Sequence, residues 1–142
     1  MNSKRKESIL AVMSEYKIRT AWLTPYLHVG IGSVDSIIFS GKDGFISDYN
    51  YTRIAKALNR IVKALGYNKV PLEVIPDMDY LITKMDEYNI PDRVLLRQLR
   101  ANKYKLHTKY FTQGVYSEED YAAMITAINQ LIEKGGKHYE YY

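Results

Sequence analysis

Apolar residues recur every three or four positions along much of this 142-residue chain, the spacing that lines one side of an α-helix. The clearest case covers residues 48–65, with Asp48 as an N-cap candidate and Gly66 as the stop signal. Its apolar positions are Tyr51, Ile54, Ala55, Leu58, Ile61, Val62 and Leu65. Its other side carries Arg53, Lys56, Arg60 and Lys63. We predict a helix with one apolar face and one basic face.

A first helix is predicted over residues 3–16, and its N-terminus is unusual. Lys4, Arg5 and Lys6 occupy the first turn, where the helix dipole favours anions. This tip therefore either frays or meets a negatively charged partner. The following residues 17–29 mix helical spacing with Pro25, so a short helix or turn near that proline is the expectation.

Three helices are predicted in the second half of the chain. Residues 77–88 and 91–106 form a pair joined by a tight connection, with Pro91 suited to a first helical position. The last helix starts at the capping-box pattern of Ser117 and ends at the pair of glycines that begins at Gly135. Residues 104–116 alternate in type and fit either a strand or a frayed helix.

Residues 34–46 have the only clear strand pattern. The run VDSIIF is followed by two glycines, Gly41 and Gly44, that can adopt positive φ around a tight loop, and then by Phe45 and Ile46. The expected fold is therefore mainly α: a compact helical bundle of about five helices with a small β-hairpin insertion. We expect a single domain over residues 1–142, with residues 135–142 as a flexible tail.

Composition removes several classes of chemistry. The chain has no cysteine, which excludes disulfides, thiol nucleophiles and cysteine-based metal sites. Its three histidines are far apart in sequence, so a histidine metal site is not expected. The net charge of +4 favours polyanions without requiring them. Tyrosine is abundant, with 14 residues against 3 phenylalanines, and such rings suit half-buried positions and recognition surfaces.

The glycine-rich stretch before residue 34 offers the only candidates for a catalytic or ligand loop. Gly30 and Gly32 could present backbone amides to a phosphate, but the third glycine and the lysine of phosphate-binding loops are missing. A hydrolytic triad would use His28, Ser33 and Asp35. A hard cation would use Asp35, Asp43 and Asp48, yet Lys42 would repel it. A turn, a hairpin tip and a helix cap explain these residues equally well, so we predict no enzyme activity, cofactor or metal.

A more specific hypothesis for the function concerns the basic faces of two predicted helices. The pair 77–88 and 91–106 has the outline of a helix-turn-helix motif, whose second helix enters the DNA major groove. Its turn contains Asn-Ile-Pro where a glycine is usual, and a solvated basic face is the competing explanation. If the two basic faces lie side by side, they suit a phosphate backbone or an acidic protein that mimics it. The predicted contacts are Arg53, Lys56, Arg60, Lys63, Arg93, Arg97, Arg100 and Lys103.

The N-terminal segment and the apolar windows of the chain bear on the cellular location of the protein. The N-terminal apolar run is broken by Ser14 and Glu15, and no window approaches the roughly 20 apolar residues of a membrane span, so we predict a cytoplasmic protein that does not enter membranes. The segments AVMSEYKI and AKALNRI resemble helices of the coat proteins of rod-shaped archaeal viruses, but the basic arm expected there is reduced to KRK, and no family is assigned.

A compact, tyrosine-rich chain without cysteine or a catalytic motif is typical of small viral or mobile-element proteins. We therefore predict a non-enzymatic binding protein of that type, which engages nucleic acid or a nucleic-acid-binding protein in the host cytoplasm or virion. The alternative is a self-associating virion structural or assembly protein, in which the tyrosines and residues 138–142 form contacts of a homo-oligomer.

Overall fold

The computed structural model describes residues 2–27, 46–106 and 115–135. Every regular element in these residues is a helix, so the mainly-α prediction is confirmed, although the described residues contain six α-helices and a 3-10 helix where about five helices were predicted. The predicted β-hairpin at residues 34–46 lies almost entirely outside the described residues. The chain divides into two compact units, Met1–Ile75 and Pro76–Tyr142, which we call unit 1 and unit 2. The single-domain organisation and the flexible tail stay predictions.

Unit 1 begins with helix α1, Asn2–Glu15, followed by a 3-10 helix, Thr20–Leu23, and the short helix α2, Thr24–Leu27. The first helix buries Ile9, Val12 and Met13, which are spaced by three and four residues as an amphipathic helix requires. All three elements pack against the next helix, α3, Asp48–Ala64. The sequence therefore predicted α1 closely, and the chain beyond it also turns near Pro25 as expected.

Helix α3 forms the centre of unit 1. Its buried apolar residues are Ile54, Ala55, Ala57, Leu58, Ile61 and Val62. Two residues of the predicted apolar face depart from it, since Tyr51 is half-buried and Leu65 is 46% exposed. The N-cap is Ser47, whose hydroxyl accepts from the Asn50 amide at 3.2 Å, and Asp48 is the first helical residue. The prediction of Asp48 as the cap was wrong by one position, because a serine hydroxyl directly before it performs that role.

The chain after α3 returns along that helix. The Asn59 side chain donates to the Leu72 carbonyl at 2.8 Å and accepts from the Leu72 amide at 3.1 Å. The Tyr51 hydroxyl donates to the Glu73 carbonyl at 2.9 Å. Because these bonds replace the water partners of an extended backbone, residues 72–73 are held against α3 and the Leu72 side chain joins the core of unit 1.

Unit 2 contains helices α4, Pro76–Glu87, α5, Asp92–Ala101, and α6, Glu118–Gly135. Both α4 and α5 pack against α6. The capping box at the start of α6 is confirmed: the Ser117 hydroxyl accepts from the Asp120 amide at 3.0 Å, and the Asp120 carboxylate accepts from the Ser117 amide at 3.1 Å. Pro91 is the N-cap of α5 and not its first helical residue.

Helix α5 is shorter than predicted. It ends at Ala101 and not near Leu106, because Lys103 adopts a left-handed conformation with φ of 61°. The Lys103 amide then donates to the Arg100 carbonyl at 2.9 Å, and the Tyr104 amide donates to the Leu99 carbonyl at 3.0 Å. These two bonds form a Schellman motif, which terminates a helix. A lysine at the left-handed position is not a recognisable stop signal in a sequence.

Three other helices end in the same way. The left-handed residues are Lys17 after α1, Gly66 after α3 and Asn89 after α4. In each case the next residue donates its amide back to a carbonyl five positions earlier, as Tyr67 does to Val62 at 3.2 Å. Only Gly66 and Asn89 are residue types that favour this conformation.

We therefore expect opposite effects of substitution at two helix ends. Gly66→Ala should lower the free energy of unfolding by about 1 kcal/mol, because φ is 101° and no atom lies within 4 Å of the added Cβ, so only backbone strain changes. Lys103→Gly should raise it by up to about 1 kcal/mol, since glycine relieves the left-handed strain. Urea unfolding followed by circular dichroism measures both changes, with Lys103→Ala as the control that removes the same side chain and keeps Cβ. Equal stability of the glycine and alanine variants at position 103 would contradict the prediction.

Candidate nucleic-acid interface

The basic face of α3 is present as predicted. Arg53, Lys56, Arg60 and Lys63 lie within an arc of about 80° on an ideal helix and extend over roughly 15 Å of its axis. We call these four residues the α3 stripe. They lie on the side opposite the buried residues of α3, so packing of the apolar face directs the cations outward.

The members of the α3 stripe differ in how far they are already engaged. The Arg53 guanidinium donates to the Tyr49 hydroxyl at 2.8 Å and lies 5.1 Å from the centroid of that ring. Lys56 is half-buried and also interacts with other residues. Arg60 and Lys63 are exposed, and neither side chain forms a hydrogen bond or ion pair with any described residue. These last two cations are the most available to a partner.

The sequence segment that contains the α3 stripe carries only positive charge. Residues 49–72 contain five lysines and arginines and no aspartate or glutamate. Unit 1 as a whole has eleven lysines and arginines against six acidic residues, a net charge of +5, whereas unit 2 has nine against ten, a net charge of −1. The positive charge of the chain therefore belongs to unit 1, where it attracts anions at long range.

Unit 2 has a smaller basic surface on α5. Arg97 and Arg100 are exposed and are one turn apart, while Arg93 is half-buried and interacts with other residues. Lys103 was predicted on the same helix face, and this is corrected by the structure, since α5 has already ended and the left-handed turn changes the direction of the chain. The structure describes the two units separately, so the side-by-side arrangement of the two basic faces stays a prediction.

The basic tip of α1 is partly explained by an internal contact. The Arg5 guanidinium donates to the Asp48 carboxylate at 2.7 Å and to the Ile46 carbonyl at 2.8 Å. It also lies 5.2 Å from the centroid of the Tyr51 ring. Burial raises the pKa of Tyr51, although the positive charge of Arg5 opposes that shift. Arg5 therefore joins α1 to the start of α3 and is less available to a partner than the exposed Lys4.

A shallow groove of about 320 Å³ lies between the end of α5 and the start of α6. Its lining supplies the Glu119 carboxylate and the Tyr104 phenol among mainly apolar residues. The Tyr104 hydroxyl already donates to Asp120 at 2.7 Å, and this bond raises the pKa of Tyr104 to about 12. A phenol held in its neutral form is a poor general base at neutral pH, so the groove does not suggest a catalytic pair.

The other candidate sites of the sequence fall mainly beyond the described chain. His28, Ser33 and Asp35 lie outside it, as do Gly30 and Gly32, so the triad and the phosphate loop stay untested. Asp48, the one described member of the proposed cation site, is paired with Arg5. Within residues 2–27, 46–106 and 115–135, no group of three or more potential metal ligands occurs, and no helix is long and apolar enough to cross a membrane.

Sequence reasoning missed the exposed turn that follows α3. The apolar spacing places Leu65 on the apolar face of the helix and predicts no helix or strand at Tyr67, Lys69 and Val70. All four are exposed. The absence of acidic residues from 49 to 72 was visible in the sequence and would have marked the turn as part of the same basic segment. Comparison of the chain with protein-family models, curated proteins and solved structures gave no match.

Proposed function

We propose that this chain is a non-enzymatic nucleic-acid-binding protein of viral or mobile-element type. The observation that carries the proposal is the α3 stripe, four cations on one side of a helix whose other side is buried, in a segment that lacks any carboxylate from residue 49 to 72. Such a surface suits phosphate groups, because each neutralised phosphate releases a condensed counterion. The exposed arginines of α5 provide a second and smaller contact, and an acidic nucleoprotein partner would use the same surfaces.

The test is the salt dependence of binding to a mixed-sequence DNA duplex, measured by fluorescence anisotropy. The double variant R60Q/K63Q should bind about tenfold more weakly at low salt, and the slope of log K against log salt should become shallower by about 2, one for each lost phosphate contact. Both side chains are exposed and form no bond to a described residue, so the fold should be retained.

The matched control is K17Q/R19Q, which removes two exposed cations of unit 1 that lie outside the α3 stripe. It should leave the slope nearly unchanged. A second variant, R97Q/R100Q, measures how much α5 contributes to the affinity for DNA and to its salt dependence. If the control and R60Q/K63Q have equal effects, binding depends on net charge alone and the α3 stripe is not the contact surface.

Self-association is the alternative function. For this function, Trp22 and Val115, large apolar side chains that are 41% and 54% exposed, are candidate contacts beside the tyrosines and residues 138–142. Light scattering at several protein concentrations, with and without the duplex, separates the two functions. A large oligomer whose mass does not change when the duplex is added would support an assembly protein.

A further inference from the structure

The turn at residues 65–70, which we call the post-α3 turn, exposes three large apolar side chains within six residues. Leu65, Tyr67 and Val70 are 46%, 48% and 77% exposed. Gly66, with φ of 101°, ends α3 and turns the chain ahead of Tyr67 and Val70. Leu65 is the C-cap of α3 and keeps a helical conformation, so it lies at the exposed end of the apolar face. Such a group of exposed apolar residues marks an interaction site.

The post-α3 turn is held in a defined shape. Two backbone hydrogen bonds hold its first half: the Gly66 amide donates to the Lys63 carbonyl, and the Tyr67 amide donates to the Val62 carbonyl. The two hydrogen bonds between Asn59 and Leu72 anchor the chain beyond it. The Tyr67 ring rests edge-on against Tyr16, with centroids 5.0 Å apart and planes at 71°. A ring held in this way loses little conformational entropy when it contacts a partner.

The charge beside the post-α3 turn selects an anionic partner. Arg60 and Lys63 precede it on α3, Lys69 lies within it, and all three are exposed. The nearest acidic residues in sequence are Asp48 and Glu73. The segment from Arg60 to Val70 therefore combines cations, an aromatic ring and exposed aliphatic side chains, and it contains no carboxylate of its own.

Among nucleic acids, a single strand matches this combination best. A duplex offers its phosphates, but its base faces are stacked inside the helix, so the ring and the aliphatic groups would stay unused. A single strand presents phosphates and unstacked bases together, and aromatic side chains beside a basic track are the recurring means of binding it. We propose that the post-α3 turn, with Arg60 and Lys63, binds single-stranded nucleic acid and that the Tyr67 ring stacks on a base. This inference depends on the proposed function.

The experiment compares binding of a labelled oligothymidine strand and of a duplex of the same length to the full chain at one fixed salt concentration. Tyr67→Leu should weaken binding of the single strand about tenfold, the effect expected for loss of one stacked base, and should leave duplex binding unchanged. Tyr67→Phe keeps the ring and should retain the affinity. The fluorescence of Trp22, the only tryptophan, confirms that unit 1 of each variant is folded.

The matched control is Tyr80→Leu, because Tyr80 is another exposed tyrosine, 38% accessible, on the acidic helix α4. It should not change binding of the single strand. If Tyr67→Leu has no effect while R60Q/K63Q still weakens binding, the stacking role is overturned and the proposed function stands. If neither nucleic acid binds, both are overturned. Binding of phosphatidylserine vesicles in preference to oligothymidine would also overturn the inference, since it would assign the surface to lipid.

Discussion

Replacement of Asp48 by alanine is expected to lower the free energy of unfolding by about 3 kcal/mol, the usual cost of breaking a buried ion pair from one side. The Asp48 side chain is only 3% exposed and that of Arg5 is 20% exposed, with 2.7 Å between guanidinium nitrogen and carboxylate oxygen. Without the carboxylate, Arg5 keeps its bond to the Ile46 carbonyl but loses its counter-ion in a largely dehydrated site. Urea unfolding followed by Trp22 fluorescence measures the change in unit 1.

The control for this variant is Glu7→Gln, which removes an exposed carboxylate of α1 and should change the stability by less than about 0.5 kcal/mol. The double variant of Arg5→Met with Asp48→Ala should be more stable than the sum of the two single effects predicts, because the second substitution removes a charge that the first has already left unpaired. Additive effects would show that the two side chains do not interact appreciably in solution.

Replacement of Asp120 by alanine is expected to lower the free energy of unfolding by about 2 to 3 kcal/mol. Its carboxylate is fully buried and accepts hydrogen bonds from the Tyr104 hydroxyl and the Ser117 amide. It therefore joins the chain after α5 to the first turn of α6, and it also completes the capping box. Urea unfolding followed by circular dichroism measures this loss, and Glu119→Gln, a change at the neighbouring exposed carboxylate, should be nearly neutral.

The same bond predicts an effect at alkaline pH. Because the hydrogen bond to Asp120 raises the pKa of Tyr104 from about 10 to about 12, the neutral phenol is favoured in the folded state. The contribution to stability is complete below pH 10 and is lost as the pH rises through about 12. Titration of phenolate absorbance for the native chain minus that for Tyr104→Phe isolates this group. A Tyr104 pKa near 10 in solution would contradict the bond.

The sequence was a good guide where local signals agree. The apolar spacing of α3 and α6 coincides with a glycine stop or a capping box, and the structure places both helices close to their predicted limits. The sequence-based prediction failed where no local signal was present. Lys103 gives no hint that it adopts a left-handed φ, so the predicted helix runs to residue 106 whereas α5 ends at Ala101. Leu65 is predicted on the apolar face of α3, but the helix ends at Ala64 and the Leu65 side chain is exposed.

The candidate interface shows the same division. The four cations of the α3 stripe follow from helical periodicity alone, and so does the reach of Arg53 to Tyr49, four residues earlier. That Arg60 and Lys63 are more available than Arg53 and Lys56 depends on which neighbours surround each side chain. The exposure of Tyr67 depends on the direction of the chain after Gly66 and on its anchoring at Asn59.

By itself, the sequence determined the mainly helical class, the apolar and basic faces of α3 and the capping box of α6, because these depend on residues within a few positions of each other. Only the tertiary structure decided which polar residues are paired when they are far apart in the sequence. Arg5 meets Asp48 across 43 positions, and Tyr104 meets Asp120 across 16. Such contacts form when packing of apolar faces brings distant segments together, and the hydrophobic effect that drives this packing is non-directional, so periodicity cannot reveal which charges it will join or leave exposed.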